Sequence, residues 1–487
     1  MTRQIERSNP RRRLRAGALL LLAAAAPLGA QATVASPTPA APPQPQTRHD
    51  SLTSCVGCPG LTHSARAVTS AVVFELIPYS VNRWVVETPW SRTTLHSWSN
   101  NLRGGWGWDT DHFAVNQFAH PYSGNLSFNS ARTNGYGFWG SAPFALAGSV
   151  AWEYFGETTR PSVNDLVNTT LGGITLGETT YRLSSLILDA GSTGTTRIIR
   201  EVGAALVDPP RALARIMDGD ATRVGTNPSG RLPSVVSSQV EVGYQRLTHG
   251  RAKSPLRGLD QPFAYYALNY GDPMGRDVHG PFSSFRLDGT FGAAASGILS
   301  QLRAVGFLGE RELRGDSTTH HRLALAMHYH YFNNAAFVSG GQGFSGVLLS
   351  RYPLGGRNAL RSEAWLMGVV LAAVKSDYGA PASAIANETA RNYDYGPGAG
   401  GRVQVAFDHA ARSSVEASYQ ATWIDVVSGT ARRQAYRTFE ARAQSAVARR
   451  ISVGLNEVLY NRTGFYAGRP TVHAHDAVTQ AFIAFRI

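Results

Sequence analysis

The densest collection of reactive side chains in this 487-residue chain lies between Trp108 and Arg182. His120 and Ser123 sit in HPYSGN, Glu153 in WEYFGE and Asp165 in PSVNDLVNTT. A histidine with a hydroxyl and carboxylates is the material of a hydrolase, since the imidazole can take the serine proton and an acid can orient the ring. The expected catalytic set is therefore His120, Ser123, Glu153 and Asp165. A second chemistry uses some of the same groups. Asp111, His120, Glu153 and Asp165 form a mixed histidine and carboxylate set suited to zinc, manganese or iron. No pair among them has the His-Glu-x-x-His spacing that marks a helical zinc site. A divalent metal is thus admitted by the residues and no cofactor is required by them. A third reading involves no chemistry. Arg132, Asn134, Asn168 and Arg182 would then form a polar network, with Arg132 or Arg182 as counter-charge to Glu153 and Asp165. These residues leave open whether the chain is an enzyme.

Helices must position these groups. Pro143 suits a first helical turn, and the run from Phe144 to Phe155 carries no charge before Glu153. Glu153 and Glu157 share a helix face. Ser162 with Asp165 three residues on reads as a capping box opening a second helix. On it, Asp165, Asn168, Thr169 and Gly172 fall on one face. Gly172-Gly173 either ends that helix or lets a neighbouring backbone come close. Upstream, Ala67 to Val86 is an apolar helix or strand feeding this region.

From about Arg231 the pattern changes to alternating segments separated by turn residues. Twelve such segments can be counted, most of about ten residues, the length of a tilted membrane strand. In one of them Leu323, Leu325, Met327, Tyr329 and Tyr331 point one way, and Arg322, His328 and His330 the other. That profile predicts a lipid face ending in an aromatic girdle. The last segment places Ala481, Ile483, Phe485 and Ile487 on one face, similar to the terminal strand of bacterial outer-membrane barrels. The expected fold is mainly β with a helical insert. Residues 231–487 would form an antiparallel transmembrane β-barrel of roughly twelve strands, in the range of about ten to fourteen. Residues 61–230 would form a small helical domain, plugging the lumen or lying in the periplasm.

Composition agrees with an envelope protein. Charged residues are only 16% of the chain and glycine is abundant, at 50 residues. The basic start, the apolar run Ala16 to Ala26 and Ala30-Gln31-Ala32 predict a signal peptide over 1–32. Residues 33–60 are rich in proline and alanine and read as a disordered linker. Cys55 and Cys58 in SCVGCPG suit a small exported disulfide or a free pair in a flexible segment. The formal charge of +13 falls to +8 beyond Ala32, because six arginines and one acid precede that point. The remaining arginines are scattered, so no nucleic-acid surface is expected. The expected partners are outer-membrane lipids and lipopolysaccharide, with the barrel-assembly machinery acting during insertion. The expected location is the outer membrane of a Gram-negative cell.

Four motifs, WDTDHFAVNQFAHPYSG, FNSARTNGYGFW, WEYFGE and PSVNDLVNTTLGGITLGE, resemble the DUF3943 family, over about eighty residues from Trp108 to Leu188. The resemblance implies a shared helical domain and no particular activity. The order His120, Gly124, Glu153, Asp165, Asn168, Gly172 is also similar to that of small bacterial envelope lipoproteins of the YfiM-like kind. HPYSGN followed by FNSAR is superficially similar to outer-membrane phospholipase, another twelve-stranded barrel. Here, however, Ser123 stands three residues after His120, and the motif precedes the strands. The functional expectation is an outer-membrane barrel with a structural, binding or transport role. The alternative is a lipid-modifying hydrolase built on His120, Glu153 and Asp165.

Overall fold

The computed structural model describes residues 63–228, 232–250, 259–275, 280–292, 297–313, 319–378, 391–410 and 412–487. The signal peptide, the linker and the Cys55/Cys58 pair expected from the sequence lie outside these residues. The helices are α1 (Ser64–Ser80), α2 (Leu95–Gly104), α3 (His120–Arg132), α4 (Phe138–Ala151), α5 (Val163–Val167), α6 (Gly173–Ile187), α7 (Gly194–Val207) and α8 (Pro209–Met217). Widened π-helical turns join several of them. Val115–Ala119 leads into α3, Trp152–Gly156 extends α4, and Asn168–Gly172 links α5 to α6.

The Gly172-Gly173 pair does not end a helix. It admits a neighbour: a Cβ on Gly173 would lie 2.5 Å from the Gly124 carbonyl carbon, and one on Gly124 would lie 1.8 Å from the Thr169 oxygen. Only glycine lets α3 and α6 cross at that distance. Helix α4 starts at Phe138, a turn and a half earlier than Pro143 suggested, so the proline lies inside it.

Twelve antiparallel strands follow: β1 (Val236–His249), β2 (Leu259–Tyr270), β3 (Phe285–Phe291), β4 (Leu299–Leu313), β5 (His320–Asn333), β6 (Val338–Pro353), β7 (Ala359–Lys375), β8 (Tyr393–His409), β9 (Ser413–Asp425), β10 (Ala431–Ala446), β11 (Ile451–Tyr466) and β12 (Val472–Arg486). Each pairs with its sequence neighbours, and β1 pairs with β12, so the sheet closes into a barrel with no free edge. The strand period sorts the side chains. Arg303, His328, Arg402, Glu416, Glu440 and Arg442 line the lumen. Leu366, Val403, Val405, Leu455 and Ile483 are exposed on the outside.

The lumen does not hold the helical domain. Two neighbouring rows of residues run across the strands at right angles to the chain. One is Tyr266, Gly289, Leu302, Tyr331, Gly340, Ala373 and Tyr395; the other is Leu268, Leu287, Ala304, Tyr329, Gln342 and Leu371. By parity both rows face outward, like Leu325 and Leu366, and most of their members are buried. Helical side chains bury them. Trp108 packs on Tyr395, Phe113 on Tyr331, and Phe138 on Phe282 beside Phe285. The helical domain therefore clings to the outer wall over β2–β8 and plugs nothing. Tyr329 and Tyr331, expected as an aromatic girdle, lie under the helices.

The lumen is closed by its own side chains. Towards the rim formed by the β5–β6 and β11–β12 connections, Phe337 stacks on Tyr460 at 5.3 Å and packs on Tyr436, with Val369, Ile424 and Val478 around them. A polar cavity of about 730 Å³ opens from the other rim down to this floor.

The α3–α6 crossing supplies a test. Gly173→Val forces backbone against backbone, a clash beyond the usual 1–3 kcal/mol or so of overpacking. Residues 64–217 should become protease-sensitive in the folded protein, while the barrel keeps its heat-modifiable migration on gels.

Candidate functional site

The site forms where two π-turns, Val115–Ala119 and Asn168–Gly172, meet the wall at β5, β6 and β8. A π-turn tilts carbonyls out of the helical ladder and is common where a helix carries a functional group. Here the Asn116 carbonyl accepts from Asn168 Nδ2 at 2.9 Å, and the Gln117 carbonyl accepts from the Tyr329 hydroxyl at 2.5 Å. The Tyr395 hydroxyl receives Gln117 Nε2 at 3.1 Å and Asn164 and Asn168 Nδ2 at 3.4 Å. Gln342 donates to Asn168 Oδ1 at 2.7 Å. Asn116 donates to the Tyr393 hydroxyl at 2.8 Å, and that hydroxyl donates to the Asp111 carbonyl at 2.6 Å. Arg391 donates to the Asp109 carbonyl.

Behind this seam lie the carboxylates. His120 Nε2 stands 3.6 Å from Asp165 Oδ1, and His120 Nδ1 is 3.3 Å from the Thr169 hydroxyl. Asp165 also accepts from Asn164 at 2.8 Å. Ser162 caps α5, accepting from the Asp165 amide at 3.4 Å, as the capping spacing indicated. Glu153 accepts from the Ser162 amide at 2.6 Å. The fold thus brings His120, Glu153 and Asp165 together. Ser123 is not with them; it and Ser127 bond to Glu75. The hydroxyl that His120 meets is Thr169.

The arginines go elsewhere. Arg132 Nε and Arg182 Nε each reach Glu178 at 2.8 Å. Arg132 and Arg211 stack on Tyr181, at 4.4 and 4.5 Å from its ring centre. Asn134 donates to the Ser130 carbonyl. Arg132 and Arg182, expected as counter-charges to Glu153 and Asp165, therefore serve Glu178 instead. The reason is geometric, since Arg132 on α3 and Arg182 on α6 flank Glu178, which lies on α6 one turn before Arg182. Asn168, by contrast, sits in the seam.

The two buried acid groups differ as a result. Burial raises the Glu178 pKa, but Arg132 and Arg182 outweigh it and hold the carboxylate below its ordinary range. Asp165 is 2% exposed, and burial pushes its pKa well above the ordinary value, with Asp109 and Asp111 adding to the push. Burial first, then Asp165, raises Glu153 to about 8. Glu157 rises for the same reasons, burial and then Glu153. These acids can hold protons at neutral pH. Among the described residues no group of three or more His, Cys, Asp or Glu is arranged to hold a metal ion. Of the four candidate ligands, Asp111 donates its amide to Asp109 Oδ2, and its carbonyl accepts from the Tyr393 hydroxyl.

Gln342, Tyr393 and Tyr395 are not singled out by the sequence, and Tyr329 is expected there only in an aromatic girdle. A signal for Gln342 existed: it falls in the outward alternation of Phe344 and Leu348, where lipid-facing parity calls for an apolar residue.

Residues 105–210 match DUF3943, a domain of unknown function. No curated protein matches the chain in sequence. Among solved structures, the NanC porin aligns at 8% identity and a TM-score of 0.27, covering 50% of this chain and 98% of its own. The outer-membrane channel DcaP of Acinetobacter baumannii aligns at 7% identity and 0.24, covering 52% and 96%. The outer-membrane protein OpdK of Pseudomonas aeruginosa aligns at 7% identity and 0.26, covering 53% and 99%.

Opposite outcomes are expected for the two acids. Glu178→Gln leaves Arg132 and Arg182 facing no charge and should cost about 3–5 kcal/mol. For Glu153 the sign runs the other way. Below about 4.5 the carboxyl is neutral in folded and unfolded chains alike, and above that the unfolded chain ionises first. Helical-domain stability should therefore fall as pH climbs from 4.5 to about 8, and Glu153→Gln should flatten that fall. Protease resistance of residues 64–217, followed across that range in both variants, checks both outcomes.

Proposed function

We propose that the chain is a bacterial outer-membrane protein whose barrel binds a small charged solute in a gated lumen. In this reading the barrel-assembly machinery inserts it, lipid and lipopolysaccharide surround it, and the helical domain buttresses the wall. The observation that carries the proposal is the blind polar cavity. Its walls hold paired charges, Arg303 with Asp288, Arg286 with Glu363 and Arg442 with Glu241. Arg402 differs from these. It donates to Gln404 and Ser418 and has no carboxylate within salt-bridge distance among the described residues. A guanidinium left without a carboxylate in a water-filled lumen is an anchor for the anionic group of a solute. The aromatic floor of Phe337, Tyr436 and Tyr460 is the gate, since a constriction of apolar side chains shuts a pore by excluding water.

The hydrolase alternative has no comparable support. His120 meets Thr169, and Ser123 is held by Glu75.

Conductance across planar bilayers tests the reading. The wild-type protein should stay largely shut, and Phe337→Ala with Tyr460→Ala should produce steady current steps. Adding Arg402→Ala to that open form should shift ion selectivity toward cations. A wild-type barrel that conducts freely would show that the floor is no gate.

A further inference from the structure

We infer that the outer faces of α1 and α4 lie against the acyl chains of the bilayer, so that the helical domain is a lipid-embedded flank of the barrel. The inference rests on the membrane reading above and adds where the domain sits.

Helix α6 packs on the wall at β4 and β5, α3 packs on α6, and α1 and α4 pack on α3, with the start of α4 reaching the wall through Phe138. The outer surface of α1 and α4 is apolar. On α1, Val68, Val72 and Leu76 are each about half exposed, at 53%, 50% and 52%. On α4 and its π-turn extension, Trp139, Leu146 and Phe155 are exposed. Neither surface carries a charge. The charges of α1 turn inward: Arg66 pairs with Asp218 at 2.7 Å, and Glu75 accepts from Ser127 at 2.7 Å. Inward-facing charge with outward-facing valine and leucine is the arrangement of a helix against lipid. A water-facing helix shows the reverse.

Continuity with the barrel's own lipid face names the occupant. On β6, Gln342 lies under the helices, while Phe344 and Leu348 on the same outward row are exposed. On β1, Val242 and Tyr244 are exposed one strand away from the seam's start at Tyr266. The helices thus border bare outward-facing wall on both β1 and β6. A bilayer that covers Phe344 and Val242 must meet the flank of the helical domain, and the surface it meets is apolar. Among the described residues no helix is long and apolar enough to cross a membrane. That fits a flank rather than a span, because the inner face of α1 carries Ser70, Arg66 and Glu75 towards protein.

Spin labels on the full-length protein in phosphatidylcholine vesicles test this, with Cys55 and Cys58 replaced by serine. Labels are placed singly by Val72→Cys and Leu146→Cys. Leu455→Cys, on the bare barrel wall, is the lipid reference, and Arg357→Cys, in an exposed turn, is the water reference. Heat-modifiable migration confirms folding of each variant. The ratio of oxygen to nickel-chelate collision rates should rise at Val72 and Leu146 to that at Leu455. A ratio at Val72 and Leu146 equal to that at Arg357, with Leu455 still lipid-like, overturns the inference and leaves the barrel in its membrane. A water-like ratio at Leu455 itself overturns the membrane reading, and this inference with it.

Discussion

The structure depends on one constraint, which is that polar groups on the lipid side of a barrel wall must find partners. The hydroxyls of Tyr329, Tyr393 and Tyr395 and the amide of Gln342 project outward, on the face that carries Leu325 and Leu366 elsewhere. An unpaired polar group there costs several kcal/mol, and hydrocarbon offers it no partner. The helical domain supplies the partners, through Asn116, Gln117, Asn164 and Asn168. Its π-turns make this docking work. The turn at Val115–Ala119 presents the Gln117 carbonyl sideways to the Tyr329 hydroxyl, and the Asp111 carbonyl ahead of that turn accepts from Tyr393. Barrel and helices are therefore complementary halves of one fold, and neither satisfies its hydrogen bonds alone.

Inside the helical domain, the number of cations decides the state of each acid. Glu178 is fully buried between two arginines, so it is a stable carboxylate. Asp165, Glu153 and Glu157 share only His120, and they repel one another. Such a cluster holds protons more readily than exposed acids and gives them up only at some cost in stability. The first group fixes how α3 meets α6. The second lies directly behind the seam, beside the groups that hold Tyr395.

Much of the barrel was legible in the sequence, because a period of two over ten residues survives any local irregularity. The count of twelve strands and the sidedness of β5 follow from it. The segments missed were those that break the lipid pattern. The start of β6 (Val338 to Gly343) and the start of β8 (Tyr393 to Gly400) are rich in glycine and tyrosine. They look like turns because their outward side meets protein, and the glycines leave room for it: a Cβ on Gly340 would lie 2.5 Å from Gln117 Oε1. The spacing of Ser162 and Asp165 marks the start of α5, but the meeting of Asp165 with His120 depends on how α3 packs, which the sequence leaves open. The pairing of Arg132 and Arg182 was not legible either. Both lie within reach of several acids in sequence, and only the α3–α6 crossing selects Glu178.

That difference explains why the lumen was one of the two places expected for the domain, with the periplasm the other. Buried Asp, Asn, Arg and Glu suit a polar interior, and a barrel lumen is the usual polar interior of an outer-membrane protein. Composition could not separate this from a domain that is polar towards a polar strip of outer wall and apolar towards everything else. Register separates them. Tyr331, Gly340, Ala373 and Tyr395 stand in one hydrogen-bonded row, and all share the parity of the lipid face. With the outside of β2–β8 occupied by helices, the lumen is left to the barrel's own side chains. The arginine-lined cavity and the aromatic floor can then form without competition from a plug, which is why the lumen and the helical domain can carry separate roles.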